Sequence, residues 1–295
     1  MLDIILEFKS LLADNFKEES LTIDGFKKAI KSTHSNSVDG LLRNSDSKTS
    51  NYIHAVILSA YLERKGYSLE NWNEYFKLAK FVKNLLGLSS TKESDILELL
   101  VLHTVNKVFI FSDISLGIKA FIANNNRNPT FLTDDTLKKN VLTLEENRRI
   151  IDNLKVKMKI RGKESQEIWG DNDVIVCLSK NGILQQFCII SCKLSLRERV
   201  YQSLFWSMHS RLEGIGKHVF ITTDKGNTGK SEIGHRKGSD ARKTRNVLES
   251  AMDRVYVLRK ESEVNRSQVI KSLKQLKSDL NIWANDIAGN IKEFK

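Results

Sequence analysis

The chain has 295 residues, 40% of them apolar, and 47 Lys and Arg against 36 Asp and Glu, for a formal net charge of +11. At about 100–200 residues per domain this is one large domain or two modest ones with a proper core, and no apolar run approaches the ~20 residues of a membrane span. The N-terminus carries Asp3 and Glu7 and does not read as a signal peptide, while Cys177, Cys188 and Cys192, an odd set without CxxC spacing, argue against a disulfide framework or a zinc site. A cytoplasmic, reduced protein is expected, with a charge that favours a polyanionic partner through its phosphates.

Residues 1–125 read as a mostly helical subdomain. Ile4, Ile5, Phe8, Leu11 and Leu12 form one apolar stripe, Ile53, Val56, Ile57, Ala60 and Tyr61 another, and Leu69 to Leu88 and Ile96 to Phe111 continue the pattern. Asn124 to Pro129 is the clearest linker, a run of turn formers with the only proline. A core domain is placed at 130–260 and a C-terminal helix or helix pair at 262–295. Thr143 and Glu146 form a capping box that opens a helix to about Leu154. Val156, Met158 and Ile160 then alternate with Lys155, Lys157, Lys159 and Arg161, which predicts a strand with one basic side; a continued helix is the rival.

Next comes a run that orders the rest of the chain. Asp173 opens the apolar segment Val174–Leu178, and Asn181-Gly182 supplies the turn of a hairpin, since both turn positions need φ > 0. The return strand runs from Leu184 to Ser191 and ends at Lys193. Ser195 reads as an N-cap with Glu198 as its capping-box partner. Val200, Leu204, Phe205, Met208 and Leu212 follow at helical spacing, and Val219, Phe220 and Ile221 make a further buried strand. The two ends of a hairpin are neighbours, so Asp173 and Lys193 are brought to one sheet edge. A carboxylate with backbone carbonyls suits a hard divalent ion, and an ammonium beside it can stabilise a pentavalent phosphate or help deprotonate water.

Asn172-Asp173 and Ser191-Cys192-Lys193 resemble the Pro-Asp and (Asp/Glu)-x-Lys elements of the PD-(D/E)xK nuclease superfamily, and within it the type II restriction endonucleases, over roughly the middle third of the chain. The resemblance implies an α/β (α+β) fold, a restriction-endonuclease-like mixed β-sheet core flanked by helices, with the N-terminal helical subdomain beside it. It implies catalytic roles for Asp173, Ser191, Lys193 and Glu198. Mg²⁺ would be held by Asp173, the Cys192 carbonyl and Glu198, and Lys193 would polarise the attacking water. Asn172 replaces a proline that shapes the turn. Ser191 replaces the acid and is expected to hydrogen-bond a water or the metal shell. The missing carboxylate then falls to Glu198, with Glu167, Glu145 and Glu146 as weaker candidates. Glu198 carries two readings, cap and ligand, which are not exclusive.

After Thr223 the chain carries four glycines and seven Lys or Arg between Asp224 and Arg245. Gly229-Lys230-Ser231 invites a Walker-A reading, which fails because Asp224 would stand at the first glycine and Ile233 to Gly238 is a poor first helical turn. The alternatives are a solvated loop or a flexible basic loop beside the active edge, in which Lys230, Arg236, Lys237, Arg242, Lys243 and Arg245 contact DNA. Ser239 could cap a helix through Val247, Leu248 and Met252, leading to a strand Val255–Leu258. In the tail, Ile270, Leu273, Leu276, Leu280, Trp283 and Ile287 recur every three or four residues and pack on their own domain or form a dimer contact. Tyr201 and Gln202 read as helix surface and Trp206 as core.

The leading reading is a Mg²⁺-dependent site-specific endonuclease on double-stranded DNA, a homodimer because two strands need two sites, with a cognate DNA methyltransferase as functional partner. The alternatives are a non-specific or structure-specific repair nuclease and a non-catalytic DNA-binding protein on a nuclease scaffold.

Overall fold

A computed structural model of the chain describes residues 10, 14–15, 22–41, 55, 57–59, 78, 80–81, 84, 92–110, 117–123, 131–132, 142–159, 161–170, 172–180, 183–196, 199–212, 216–225, 230–235 and 242–290. Helices α1 (Ile23–Leu41) and α2 (Glu93–Ile110) are followed by β1 (Gly117–Ala123), β2 (Phe131–Leu132), α3 (Leu144–Leu154), β3 (Lys155–Met158) and β4 (Gln166–Trp169). The hairpin strands are β5 (Val174–Lys180) and β6 (Ile183–Lys193). Then come α4 (Arg199–Leu212), β7 (Lys217–Thr222), α5 (Lys243–Ala251), β8 (Arg254–Val257), α6 (Glu261–Val264), β9 (Ile270–Lys271) and α7 (Leu276–Asn290).

Seven strands form one sheet in the order β2-β1-β5-β6-β7-β8-β9. It is antiparallel from β2 to β6 and parallel from β6 to β9. Among the described residues no helix is long and apolar enough to cross a membrane. One face of the sheet carries Val174, Val176, Ile190 and Cys192 against α1, α2 and α7, in the cluster that includes Phe26, Leu97, Leu280 and Trp283. On the other face Ile175, Cys177 and Ile189 pack on Ile150 and Leu154 of α3. Further along that face Phe220, Val255 and Val257 pack with Leu196, Val200, Leu248 and Met252. Burial on both faces explains why these strands read as unbroken apolar runs.

The mixed α/β architecture follows the sequence reading, and four details differ from it. Gly117–Ala123, counted in the helical part of the chain, is a strand that pairs with β5. The alternating segment from Lys155 is indeed a strand, but it pairs only with β4 in a separate two-stranded ribbon. An alternation of basic and apolar residues marks a half-exposed strand without saying which sheet it joins. Ile270 lies on β9 rather than on a tail helix, and the tail's apolar face from Leu276 is buried on its own sheet. Finally, α5 begins at Lys243 with Arg242 as its N-cap and no side-chain cap, while Ser239 lies outside the described residues.

The register that places the site depends on one irregularity. Val176 pairs with Cys188 but Cys177 with Gln186, so Phe187 is an extra residue in β6. Such a bulge bends the strand and strengthens its twist. Gly216, at φ 111°, leads into β7 directly against it: a Cβ there would stand 2.3 Å from the Phe187 carbonyl oxygen and 2.8 Å from its carbon. Both the conformation and the approach require glycine. Gly216→Ala is expected to cost roughly 2–4 kcal/mol in equilibrium urea unfolding, from φ strain plus a backbone collision. Gly289→Ala, in open space on α7, should stabilise by about 0.5–1 kcal/mol.

Candidate active site at the carboxyl edge of the sheet

The parallel strands β6, β7 and β8 end at one edge, with Lys193 beside Thr222 and Thr222 beside Val257. Because β5 is antiparallel to β6, its first residues arrive at that same edge, where Val174 pairs with Ile190. Extending the pairing sets Asp173 opposite Ser191, and cross-strand partners share a face. Residues 191 and 193 share a face as well, by the period of two. Asp173, Ser191 and Lys193 therefore stand together.

The contacts bear this out. Lys193 Nζ donates to Asp173 Oδ2 at 2.8 Å, and the Cys192 backbone N–H donates to the same oxygen at 2.6 Å. The two side chains are 6% and 13% exposed, a nearly buried ion pair. In an extended strand a residue's N–H and C=O leave on the same side, so the Cys192 carbonyl also faces the β5 side, toward the carboxylate. The turn into Asp173 is closed by Asn172 N–H donating to the Gly170 carbonyl at 3.1 Å. Trp206 of α4 packs there: a Cβ on Gly170 would lie 3.3 Å from Trp206 Cε3 and from Asn172 Nδ2. Asn172 and Trp206 thus shape the approach to the carboxylate, while Tyr201 and Gln202 are exposed on α4.

Ser191 is fully buried and its Oγ lies 2.9 Å from His218 Nε2 on β7. Where the sequence reading expected a water or the metal shell, its hydroxyl is turned to a buried imidazole. His218 is held in turn by its backbone N–H to Asp253 Oδ2 at 2.9 Å and stacks on Phe220.

Three of the other carboxylates named from sequence have partners elsewhere. Glu146 closes the capping box on Thr143, Glu145 pairs with Arg149, and Glu167 pairs with Lys155 at 3.0 Å. Glu198 lies outside the described residues. At the entry to α4 the Val200 N–H bonds to the Leu196 carbonyl, while the Ser195–Glu198 capping box involves a residue outside the described ones. The Leu196 N–H is taken by Glu232, a residue the sequence reading did not single out. Among the described residues no group of three or more His, Cys, Asp or Glu is arranged to hold a metal ion. The donor set at Asp173 is sparse: one carboxylate and one carbonyl. That fits a hard ion such as Mg²⁺, which keeps several waters and completes its shell with substrate phosphate.

The described part of the basic loop, residues 224–225 and 230–235, is held by hydrogen bonds to Asp224. Asp224, fully buried with φ 51°, accepts the N–H groups of Glu232 at 2.7 Å and Ile233 at 3.0 Å and the Ser231 hydroxyl. Burial pushes its carboxyl up to about 6, against the Ser231, Ile233 and Glu232 hydrogen bonds and the Arg259 charge, which all pull it down. Lys230, Arg242 and Lys243 are exposed at this edge, and Arg236 and Lys237 lie outside the described residues. Arg245 is a correction. It is 1% exposed and donates to the carbonyls of Gly234 at 2.6 Å, Val264 at 2.8 Å and Asn265 at 2.6 Å, so it braces loops instead of meeting DNA.

Two predictions follow from these bonds. Arg245→Ala strands three carbonyls and is expected to lower unfolding stability by about 3–5 kcal/mol, whereas Lys230→Ala stays within about 0.5 kcal/mol. For Asp224 the folded state binds the proton more tightly than the unfolded chain does, near 3.8. Its contribution to stability therefore falls as pH rises from about 4 to about 6 and is flat above that. Asp224→Asn should remove a fall on the order of 3 kcal/mol, read as the difference between the two proteins' unfolding free energies across that range.

Comparison with known proteins shows what the segment around these residues is similar to. Residues 150–279 match the family model described as BsaWI restriction endonuclease type 2. A Methanocaldococcus jannaschii protein named "Putative type II restriction enzyme MjaVIP" is 30% identical over 139 residues, 45% of this chain, and the chain spans 60% of that relative's length. Among solved structures, the BsaWI–DNA complex aligns over 97% of this chain and 94% of its own at 13% identity and TM-score 0.36. The PspGI–substrate DNA complex aligns over 96% and 92% at 14% identity and TM-score 0.36. The matched segment, Ile150 to Asp279, contains the Asp173–Lys193 pair and is similar to the type II restriction endonucleases.

Proposed function

We propose that the chain is a Mg²⁺-dependent, sequence-specific endonuclease that hydrolyses phosphodiester bonds of double-stranded DNA. One observation carries the reading: a nearly buried carboxylate and ammonium 2.8 Å apart, with the Cys192 backbone N–H on the same carboxylate, at the carboxyl edge of the sheet. The family-model match over the segment that contains this pair, the restriction-enzyme relative and the +11 charge support it.

Asp173 and the Cys192 carbonyl would hold the ion, with Glu198 as a third ligand from the segment before α4. When bound, the ion supplies positive charge at the scissile phosphate. Lys193 would place its ammonium against the developing negative charge on phosphorus and orient the attacking water. Since its partner is Asp173, the carboxylate also aims the ammonium. Lys230, Arg242 and Lys243, with Arg236 and Lys237 of the same loop, would track the phosphate backbone. A homodimer would bring one such site to each strand. In the cytoplasm a methyltransferase that marks the same sequence would spare the host DNA.

The buried Ser191–His218 contact favours a second reading, a DNA-binding protein without cleavage, because the position of the motif acid is filled by a serine bonded to an imidazole. A plasmid digest with Mg²⁺ separates the two. Discrete bands are expected from the wild type, and Lys193→Ala and Asp173→Asn should each slow cutting by about 100-fold or more while duplex binding changes only a few-fold. Equal cutting by Lys193→Ala would refute the catalytic assignment, a smear would refute sequence specificity, and binding without cutting would establish the second reading.

A further inference from the structure

The peptide between Lys193 and α4 leaves the sheet, so its backbone polar groups need partners from elsewhere. One stretch, residues 223–232, provides them. The Leu194 carbonyl accepts from Thr223 Oγ1 at 2.6 Å and from the Lys225 N–H at 3.1 Å. The Leu196 N–H donates to Glu232. Glu232 is fixed by its own N–H on Asp224 and by its neighbour Ile233, which is fully buried against Leu196, Val200 and Phe220. Asp224 is anchored from behind, its carbonyl accepting from Arg259 at 3.1 Å. The stretch that carries exposed Lys230 is therefore bonded directly to two of the three residues that follow the candidate catalytic lysine, Leu194 and Leu196.

We propose that Glu232 is a positioning residue for strand scission: a carboxylate borne by the basic loop that fixes the Leu194–Leu196 segment and ties DNA engagement by that loop to the placement of Lys193. This rests on the nuclease reading. Phosphates that draw on Lys230 act two residues from Glu232, and Glu232 transmits that pull to the start of α4. Lys193 lies three residues before the bonded N–H. A displacement of about 1 Å at a catalytic group costs on the order of 100-fold in rate, so the latch matters to turnover even where it contributes little to affinity.

The test uses the full chain with plasmid DNA and Mg²⁺. Glu232→Ala is expected to lower kcat by about 10- to 100-fold with KM for DNA within about threefold of wild type. Glu232→Gln, whose amide oxygen still accepts the Leu196 N–H, should recover most of that loss, which a merely structural cap measured by Tm would not separate from KM. Should the alanine variant fail to fold, Glu232→Asp, one methylene too short, takes its place with the same expected loss. An unchanged kcat, a loss confined to KM, or a loss that Glu232→Gln does not recover would overturn the proposal. A wild type that does not cut overturns the nuclease reading instead, and amide hydrogen exchange then decides the latch. Duplex DNA should slow exchange at Lys193 and Leu196 in the wild type and not in Glu232→Ala; identical exchange in the two proteins overturns it.

Discussion

Two opposite charges, 2.8 Å apart and almost out of water, set the terms for the surrounding structure. A buried ion pair contributes little to stability, because desolvation cancels most of the attraction, yet removing one partner leaves a costly lone charge. The pair is tolerable only while β5 and β6 keep their register. A slip of one residue would turn Asp173 and Lys193 to the face occupied by Cys192 and Ile190, into the apolar cluster against α2 and α7. The bulge at Phe187 and the approach of Gly216 to it are the features that pin this register from the far end of the strand.

β6 joins two kinds of sheet. Its antiparallel side brings Asp173 to the edge on a short hairpin, and its parallel side makes that edge the carboxyl end of β7 and β8. In open α/β sheets the loops beyond the carboxyl ends of the strands are where ligands are met. Here the connections after Lys193, Thr222 and Val257 converge on that edge and hold one another through carbonyls. Leu194 bonds to Thr223 and Lys225, Asp224 to Arg259, and Gly234, Val264 and Asn265 to Arg245. Guanidinium groups suit this work, since their several donors reach carbonyls from different loops at once. Part of the positive charge in the sequence is thus structural, and the net charge overstates what the surface offers to DNA.

What the sequence disclosed divides along physical lines. The hairpin, the Asp173–Lys193 meeting, the Thr143 capping box and the α4 and β7 runs were legible, because each depends on residues close together in the chain. The strand β1 was not: it is seven residues between segments of helical pattern, and only its pairing with β5, more than fifty residues away, makes it part of the sheet. Alternation from Lys155 marked a strand but not its partner. Arg245 and Lys243 look alike in sequence, and what separates them is three carbonyls, one before and two after, that only the fold assembles. Asp224 was visible as an acid unfit for a phosphate loop, yet its positive φ and its hold on Ser231, Glu232 and Ile233 come from the tertiary turn.

The serine at Ser191 changes the charge balance of the edge. With an acid there, the face would carry two carboxylates against one lysine and would attract a cation unaided. With serine bonded to His218, the Asp173–Lys193 pair is neutral by itself. A divalent ion at a neutral, nearly buried pair would bring a large uncompensated charge, and the pair alone would hold it weakly without further anions. Two sources fit the proposed reaction: a carboxylate from outside the strand, the role assigned to Glu198, and the phosphate of the substrate. On the proposed reading the ion, the third ligand and the DNA would depend on one another, close to the segment that follows Lys193. The bonds from Thr223, Lys225 and Glu232 to that segment therefore lie where small shifts have the largest consequence.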